Sequence, residues 1–316
     1  MKKALIIGHT GQDGSLLTEL LETKGYDVLG ISSTSSYSTN QSIKDQSFNV
    51  LNYQEIEQLI NSYQPTELYY LAAKHHSASN FERNKTLFND SLDVNVKGLV
   101  NCLEAITNCS KHTRLFYASS SHIFGFPISK PQTEETPFDP SCIYGITKNT
   151  AMQACYHYRD QFGVYASIGI FYNHESALRA SHFVSKKIVE TAVAIKDGEK
   201  NSLILGDLNA PIDWGYAPDY MKAVHCILQL DKPDIFIISS GKQHTVKDFA
   251  EKTFKLLDLE WEKYVKVDTS LIGKKSRKNL LGDYTKLKKA TAWQPETTFD
   301  EMINIMVTHQ RKKYAC

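Results

Sequence analysis

The sequence predicts an α/β protein built on a doubly wound, largely parallel sheet, with a smaller C-terminal lobe. Three observations predict it. A short apolar run at 4–8 feeds straight into a glycine-spaced turn, GHTGQDG at 8–14. Strand-like and helix-like segments then alternate as far as residue 171, the rhythm of parallel strands joined by helical crossovers. Beyond 172 that rhythm loosens and polar turns multiply. The expected division is therefore 1–171 and 172–316, partly interleaved.

Each element has a local reason. The 4–8 run is too short for the apolar core of a signal peptide, so it reads as a first strand. A helix follows over about 15–24, and Gly25 stops it. Residues 26–31 form a second strand, and 32–42 a serine- and threonine-rich loop. A helix over 55–62 ends before Pro65, and 68–71 is the third strand. A long helix covers about 87–108, 115–118 is the fourth strand, 141–162 is helical, and 165–171 is the fifth strand. In the second part, 182–196, 217–229 and 246–257 have helical spacing and 236–239 reads as a strand.

Composition narrows the function classes. The chain has 316 residues, 41% of them hydrophobic and 22% charged, enough to bury a large core. A net charge of +1 supplies no global field for nucleic acid or an acidic membrane. The cluster Lys274, Lys275, Arg277 and Lys278, taken alone, reads as a solvated loop. No run reaches the roughly 20 apolar residues of a membrane helix. The six cysteines show no CxxC pair and no metal spacing, which suits reduced thiols of a cytoplasmic protein.

Two patterns carry chemistry. In the 8–14 turn, Gly8, Gly11 and Gly14 let backbone approach a pyrophosphate at a helix N-terminus, with Thr10, Gln12 and Asp13 beside them. A plain strand-to-helix turn has the same spacing, but the βαβ setting favours a dinucleotide. The segment after the second strand, SSTSS at 32–36, holds neither the acid expected for NAD nor the arginine expected for NADP. A hydroxyl such as that of Ser33 can serve either, so NAD and NADP both stay open. Small residues at Leu71, Ala72 and Ala73 would let a cofactor lie close to the sheet, or merely pack a strand end.

The second pattern is Ser120, then Tyr144 and Lys148 on one helix face. A neighbouring ammonium lowers a tyrosine pKa, so the phenol can exchange a proton with a carbinol. YxxxK alone is common by chance. Its place, with Tyr144 lying 24 residues after Ser120, makes the set specific.

These motifs together resemble the extended short-chain dehydrogenases/reductases, and most of all the GDP-mannose 4,6-dehydratases. The resemblance runs from GHTGQDGSLL (8–17) to LLGDYTKLKKATAWQP (280–295). Between them stand LYYLAAKHH (68–76), FYASSSHIFG (116–125), TPFDPSCIYGITK (136–148), GIFYNHES (169–176), FVSKKI (183–188) and IDWGYAPDY (212–220). It implies a Rossmann-like fold, a tightly bound NADP(H) and a GDP-sugar substrate. It also implies a cycle of C4 oxidation, loss of water across C5–C6 and hydride return to C6. By the same resemblance Ser120 matches the family's threonine, and Tyr144 and Lys148 its tyrosine and lysine. Asn173, Glu175 and Ser176 belong to the NHES that meets the sugar nucleotide. Ser121 sits beside the substrate, and Val184 and Lys187 fall where the base is held. The long helices over 87–108 and 141–162 imply a dimer.

The chain departs from that pattern at definite positions. His122 replaces the family's glutamate, the acid–base group of the elimination. Ile212 replaces an arginine, and the 273–276 segment replaces an arginine-proline-x-glutamate stretch. Val50 stands where an adenine-binding aspartate is expected. The arginines expected within 32–36, which also build the family's tetramer, are absent. Lys274, Lys275 or Arg277 could take over the diphosphate grip. His122 admits three readings: a replacement base with a pKa near working pH, a hydrogen-bonding group in a C4 reductase, dehydrogenase or epimerase, or a structural histidine in a silent binding protein. His75, His76 and His174 lack the spacing of a metal set, so no metal is expected.

Overall fold

The computed structural model describes residues 1–39, 47–74, 86–272 and 279–314. The segment holding Lys274 and Arg277, and the one holding His75 and His76, lie outside the described residues.

The first half runs β1 (Lys3–Ile7), α1 (Gln12–Thr23), β2 (Asp27–Ile31), β3 (Ser36–Ser38), α2 (Tyr53–Tyr63) and β4 (Glu67–Tyr70). It continues with α3 (Leu87–Leu92), α4 (Gly98–Cys109), β5 (Arg114–Ser120), α5 (Ile143–Phe162) and β6 (Ala166–Phe171). The second half contributes β7 (Asn173–Glu175), α6 (Val184–Lys196), β8 (Leu203–Leu205), β9 (Pro211–Tyr216), α7 (Ala217–Leu228) and β10 (Ile235–Ile238). The chain ends with β11 (Gln243–Thr245), α8 (Val246–Lys255), α9 (Trp261–Tyr264), β12 (Val265–Val267), α10 (Thr285–Thr291) and α11 (Phe299–Tyr314).

Among the described residues the main sheet has the order β10-β6-β5-β4-β1-β2-β3. It is parallel apart from β3, which turns back on β2. Along each strand the side chains alternate between two covered faces. Leu5, Leu68, Leu115 and Ile168 meet α2, α4 and α5 on one side. Ala4, Tyr69, Phe116 and Phe236 meet α1, α7 and α10 on the other. The doubly wound sheet is therefore as expected, and β10 and α7 from the second half complete it. The order reverses between β1 and β4, which opens a crevice at their C-terminal ends.

A separate core lies outside the sheet. It is made by α6, α8 and α11 around Trp214 of β9, with Phe249, Met302 and Met306 buried. A small sheet β11-β9-β7 runs along its border and leads into the end of β6.

Several local expectations change. The first helix begins at Gln12, not near 15, because Gly11 takes the N-cap and Gln12, Asp13 and Gly14 already form its first turn. Residues 36–38 are an edge strand, not loop. The 87–108 stretch is interrupted by a π-helical turn at Asp93–Lys97. That turn carries the fully buried Asn95, which accepts from the Lys74 N–H at 2.8 Å and donates to Thr147 Oγ1 at 2.9 Å. The wider turn thus aims an amide across to α5. The α11 helix was not anticipated, although Met302, Ile303, Met306 and Val307 have helical spacing.

Asp213 of β9 joins the two cores. Its buried carboxylate accepts from Ser240 N at 2.9 Å, Ser240 Oγ at 2.6 Å, Gly241 N at 3.2 Å and Gly282 N at 3.1 Å. Removing it takes the acceptor from four donors at once, the Gly282 N–H in a buried hydrogen bond among them. Asp213→Ala is expected to cost about 3 kcal/mol in chemical denaturation; a loss under about 1 kcal/mol would show that the loops at 240 and 282 close without it.

Candidate active site

The crevice is built from the glycine turn upward. Gly8 has φ +94°, and a Cβ there would sit 2.7 Å from the backbone nitrogen of Ala72. A Cβ on Gly14 would sit 2.3 Å from the Gly8 carbonyl oxygen. Glycine at both positions is what lets α1 start against the turn and lets the turn lie on Ala72. The α1 N-cap makes no side-chain hydrogen bond, so no side chain caps the first-turn amides. Such a terminus favours an anion. The residues present therefore fit a dinucleotide pyrophosphate.

Gln12 and Asp13 do more than the sequence suggested. The Asp13 carboxylate lies 2.9 and 3.0 Å from His174 Nε2, while His174 Nδ1 lies 2.8 Å from the Tyr172 carbonyl oxygen. Both acceptors call for a proton on the ring nitrogen they face, which favours the imidazolium. Burial lowers the His174 pKa, but Asp13 more than reverses that and the net is upward. Burial raises Asp13, and His174 outweighs it so that the carboxyl falls below its ordinary value. Gln12 adds to the clasp, donating to the His174 carbonyl at 3.2 Å and accepting from Ser176 Oγ at 2.9 Å. The GQDG and NHES motifs are thus two halves of one junction.

The opposite wall carries the serine, tyrosine and lysine. Ser120 ends β5 and accepts the His122 N–H at 3.3 Å, starting a short 3₁₀ turn, Ser121–Phe124. Cys142 caps α5, whose first two turns bring Tyr144 and Lys148 to the same cleft. The Lys148 ammonium is buried, donates to the Ala118 carbonyl at 2.7 Å and lies 5.6 Å from the Tyr144 ring centroid. Burial pushes its pKa down to about 7, against the pull of Asp13. Burial, then Asp13, pushes Tyr144 above the ordinary phenol value. His122 stands edge-on to Tyr144, with ring centroids 5.8 Å apart.

The cleft brings together Asp13, Leu71, Ala73, Ser120, Ser121, His122, Tyr144, Lys148 and Asn173 from the expected set. Ala72 supports it from behind, against Gly8. Thr10 and Ser33 are exposed. Glu175 and Ser176 are buried and held within the protein, Glu175 by Arg179 and by Ser185 Oγ at 2.6 Å, Ser176 by Gln12. Val184 and Lys187 open α6 outside the cleft lining, and Lys187 donates to the Ile204 carbonyl at 2.8 Å. Sequence reading missed Arg179. It lines the cleft, pairs with Glu175 at 3.1 Å and stacks on Phe183 at 3.5 Å. The NHES tetrapeptide lies just upstream, and only the fold shows that its next arginine turns back to the cleft.

Sheet order, glycine turn and the Ser–Tyr–Lys wall define an extended short-chain dehydrogenase/reductase. Known proteins narrow this further. The sequence family described as GDP-mannose 4,6 dehydratase matches residues 5–306. GDP-mannose 4,6 dehydratase 2 of Arabidopsis thaliana is 35% identical over 325 residues, covering 97% of this chain and 86% of the relative. The chain belongs to the GDP-mannose 4,6 dehydratase family. Two solved structures share the fold. One is RMD from Pseudomonas aeruginosa complexed with NADPH, with TM-score 0.85, 18% identity, and coverage of 99% of this chain and 100% of that one. The other is dTDP-glucose 4,6-dehydratase from Bacillus anthracis in complex with NAD, with TM-score 0.84, 18% identity, and coverage of 100% and 98%.

The buried lysine has a stability consequence. Its pKa is about 7 folded against an ordinary 10.5, so below pH 7 the folded state alone bears the cost of a desolvated ammonium. The penalty fades as pH rises from 7 to 10.5 and is gone above that. Lys148→Met is therefore expected to raise the melting temperature of the cofactor-free protein at pH 6 by several degrees and to leave it nearly unchanged at pH 10.5. An equal shift at both pH values would mean that packing, not charge, separates the two side chains.

Proposed function

We propose that this protein is an NAD(P)-dependent sugar-nucleotide dehydratase acting on a GDP-manno-configured sugar. The observation that carries the reading is the single cleft in which Ser120, Tyr144, Lys148 and His122 share a space, with the glycine turn of a dinucleotide site beside it. Family membership supplies the substrate class. Residues 1–171 hold the dinucleotide in this reading and 172–316 the sugar nucleotide. Gly8, Gly11, Gly14 and the first turn of α1 take the pyrophosphate, and Leu71, Ala72 and Ala73 bound the cofactor's path. The relatives carry NADPH and NAD respectively, and Ser33, exposed at the end of β2, suits either.

The chain's own residues then have defined tasks. Ser120 hydrogen-bonds the C4 oxygen and Tyr144 takes the hydroxyl proton. Lys148, when protonated, favours the phenolate. A nicotinamide held beside the glycine turn would supply the acceptor for the C4 hydride and the donor for C6, and C5 would regain a proton in exchange for the one Tyr144 took from the C4 hydroxyl. With C4 a ketone, the C5 proton is acidic. His122 takes that proton, the electron pair stays on the sugar as C5=C6, and the same proton leaves with the C6 hydroxyl as water. Asn173 and Ser121 face the sugar nucleotide, Glu175 and Ser176 fix the strand that carries Asn173, and Val184 and Lys187 hold the base. Lys274 and Arg277 supply the diphosphate charge lost at Ile212.

One observation favours a second reading. An imidazole stands where the family has a carboxylate, and a C4 reductase, dehydrogenase or epimerase on a related GDP-sugar needs no elimination base there. The five described cysteines form no disulfide with one another, which suits a reducing cytoplasm, and no described helix is long and apolar enough to cross a membrane. Exposed Phe88, Ile146 and Phe162 on α3 and α5 suit a second copy of the chain, as a dimer.

Two variants separate the readings. Tyr144→Phe is expected to lower C4 oxidation, read as reduced nicotinamide in a single turnover, by about 10²- to 10⁴-fold, with sugar-nucleotide binding retained; unchanged oxidation would remove Tyr144 from the mechanism. His122→Ala is expected to keep C4 hydride transfer and lose water elimination. Water loss at the normal rate in that variant would place the elimination base elsewhere.

A further inference from the structure

His122 does not stand alone. Its Nδ1 lies 3.6 Å from the sulfur of Cys142, 20 residues further along the chain. That sulfur also accepts the Gly145 N–H at 3.4 Å, as the cap of α5. The two segments are in close register: a Cβ on Gly145 would sit 2.5 Å from the His122 carbonyl oxygen. The 3₁₀ turn bearing His122 and the helix bearing Tyr144 therefore meet at Cys142.

Resting on the dehydratase reading, we infer that Cys142 is a positioning residue that sets the tautomer of His122. The ring donates its Nδ1 proton to the sulfur, which already gathers the Gly145 amide at the positive end of α5. Proton exchange with the sugar then falls to Nε2. A neutral imidazole is a base at whichever nitrogen lacks the proton, so a partner that holds the proton on Nδ1 leaves Nε2 as the base, and the thiol does for His122 what a carboxylate or carbonyl does for other basic histidines. The chain thus replaces a carboxylate base with a two-residue unit, an imidazole from the turn after β5 and a thiol from the head of α5. Cys142 itself lies outside the cleft lining, so it acts through His122. Among the described residues, the charged or titratable groups that line the same cleft as the ring are Tyr144 and Lys148 of α5, Asp13 of α1, and His174 and Arg179 beyond β6. None of them is substituted in the test.

The test compares Cys142→Ala, Cys142→Ser and Cys142→Asp in the full chain, with His122→Gln to assign the signal. Nitrogen-15 spectra of the histidine rings are expected to show His122 as the Nδ1–H tautomer in the unmodified protein. The signal should shift toward mixed tautomers in Cys142→Ala and return in Cys142→Ser, whose hydroxyl also caps a helix and accepts a proton. Water elimination is expected to fall about 10-fold or more in Cys142→Ala, with C4 hydride transfer spared. In Cys142→Asp, which keeps the cap, the acidic limb of the elimination rate should move up by about one pH unit or more. An unchanged tautomer in Cys142→Ala, or an acidic limb that stays put in Cys142→Asp, overturns the inference. The tautomer is read without turnover. Failure of the unmodified protein to release water would count against the dehydratase reading and leave the ring result standing.

Discussion

An ion pair between Asp13 and His174 ties the glycine turn and α1 to the strand that follows β6. Asp13 belongs to the first turn of α1, against the glycine turn, and His174 to β7, just past the end of β6. The pair sets how far the glycine turn stands from Asn173. Its surroundings favour charge on both partners. The α1 terminus favours the carboxylate, and the Tyr172 carbonyl requires a proton on Nδ1 of the ring. Phe171 and Tyr220 pack against the imidazole at 4.9 and 5.0 Å. The rings shield the imidazole and link it to α7. GQDG, NHES and the DWG-to-DY stretch are far apart in sequence, and this contact explains why one chain carries all three.

The same burial that steadies the pair makes the opposite wall costly. Lys148 is sunk under Tyr117 and Tyr144 with a carbonyl as its hydrogen-bond acceptor. Its ammonium is weakened and the Tyr144 phenol is held protonated. A positive charge beside Tyr144 favours its phenolate and a negative charge beside Lys148 favours its ammonium, so the two groups answer to opposite charges.

Much of this was legible in the sequence because it rests on short-range rules. Glycines at fixed spacing after an apolar run, an i,i+4 tyrosine–lysine pair and alternating strand and helix signals predicted the sheet, the turn and the Ser–Tyr–Lys wall. Three things were not legible, each for a physical reason. Arg179 and His174 take their roles from contacts across more than 150 residues or from a chain reversal, which spacing does not encode. The π turn at 93–97 has ordinary helical composition, and only the Lys74 and Thr147 partners of Asn95 explain it. Cys142 looked like one thiol of six until the fold set it beside His122. The α11 helix had a readable spacing and was simply overlooked.

At the position where the resemblance implies an acid–base glutamate, this chain carries an imidazole, His122. A neutral imidazole is a base at the nitrogen that carries no proton, and the protein places this one beside a capping thiol, a phenol and the backbone of α5. Whether that unit removes water from the sugar is the claim on which the functional account turns. Mass spectrometry of GDP-mannose incubated with the purified protein and added NADP or NAD tests it directly. A product lighter by one water is predicted. A sugar nucleotide recovered with its water intact, while C4 exchanges hydride, would contradict the account and make this an oxidoreductase or epimerase built on a dehydratase frame.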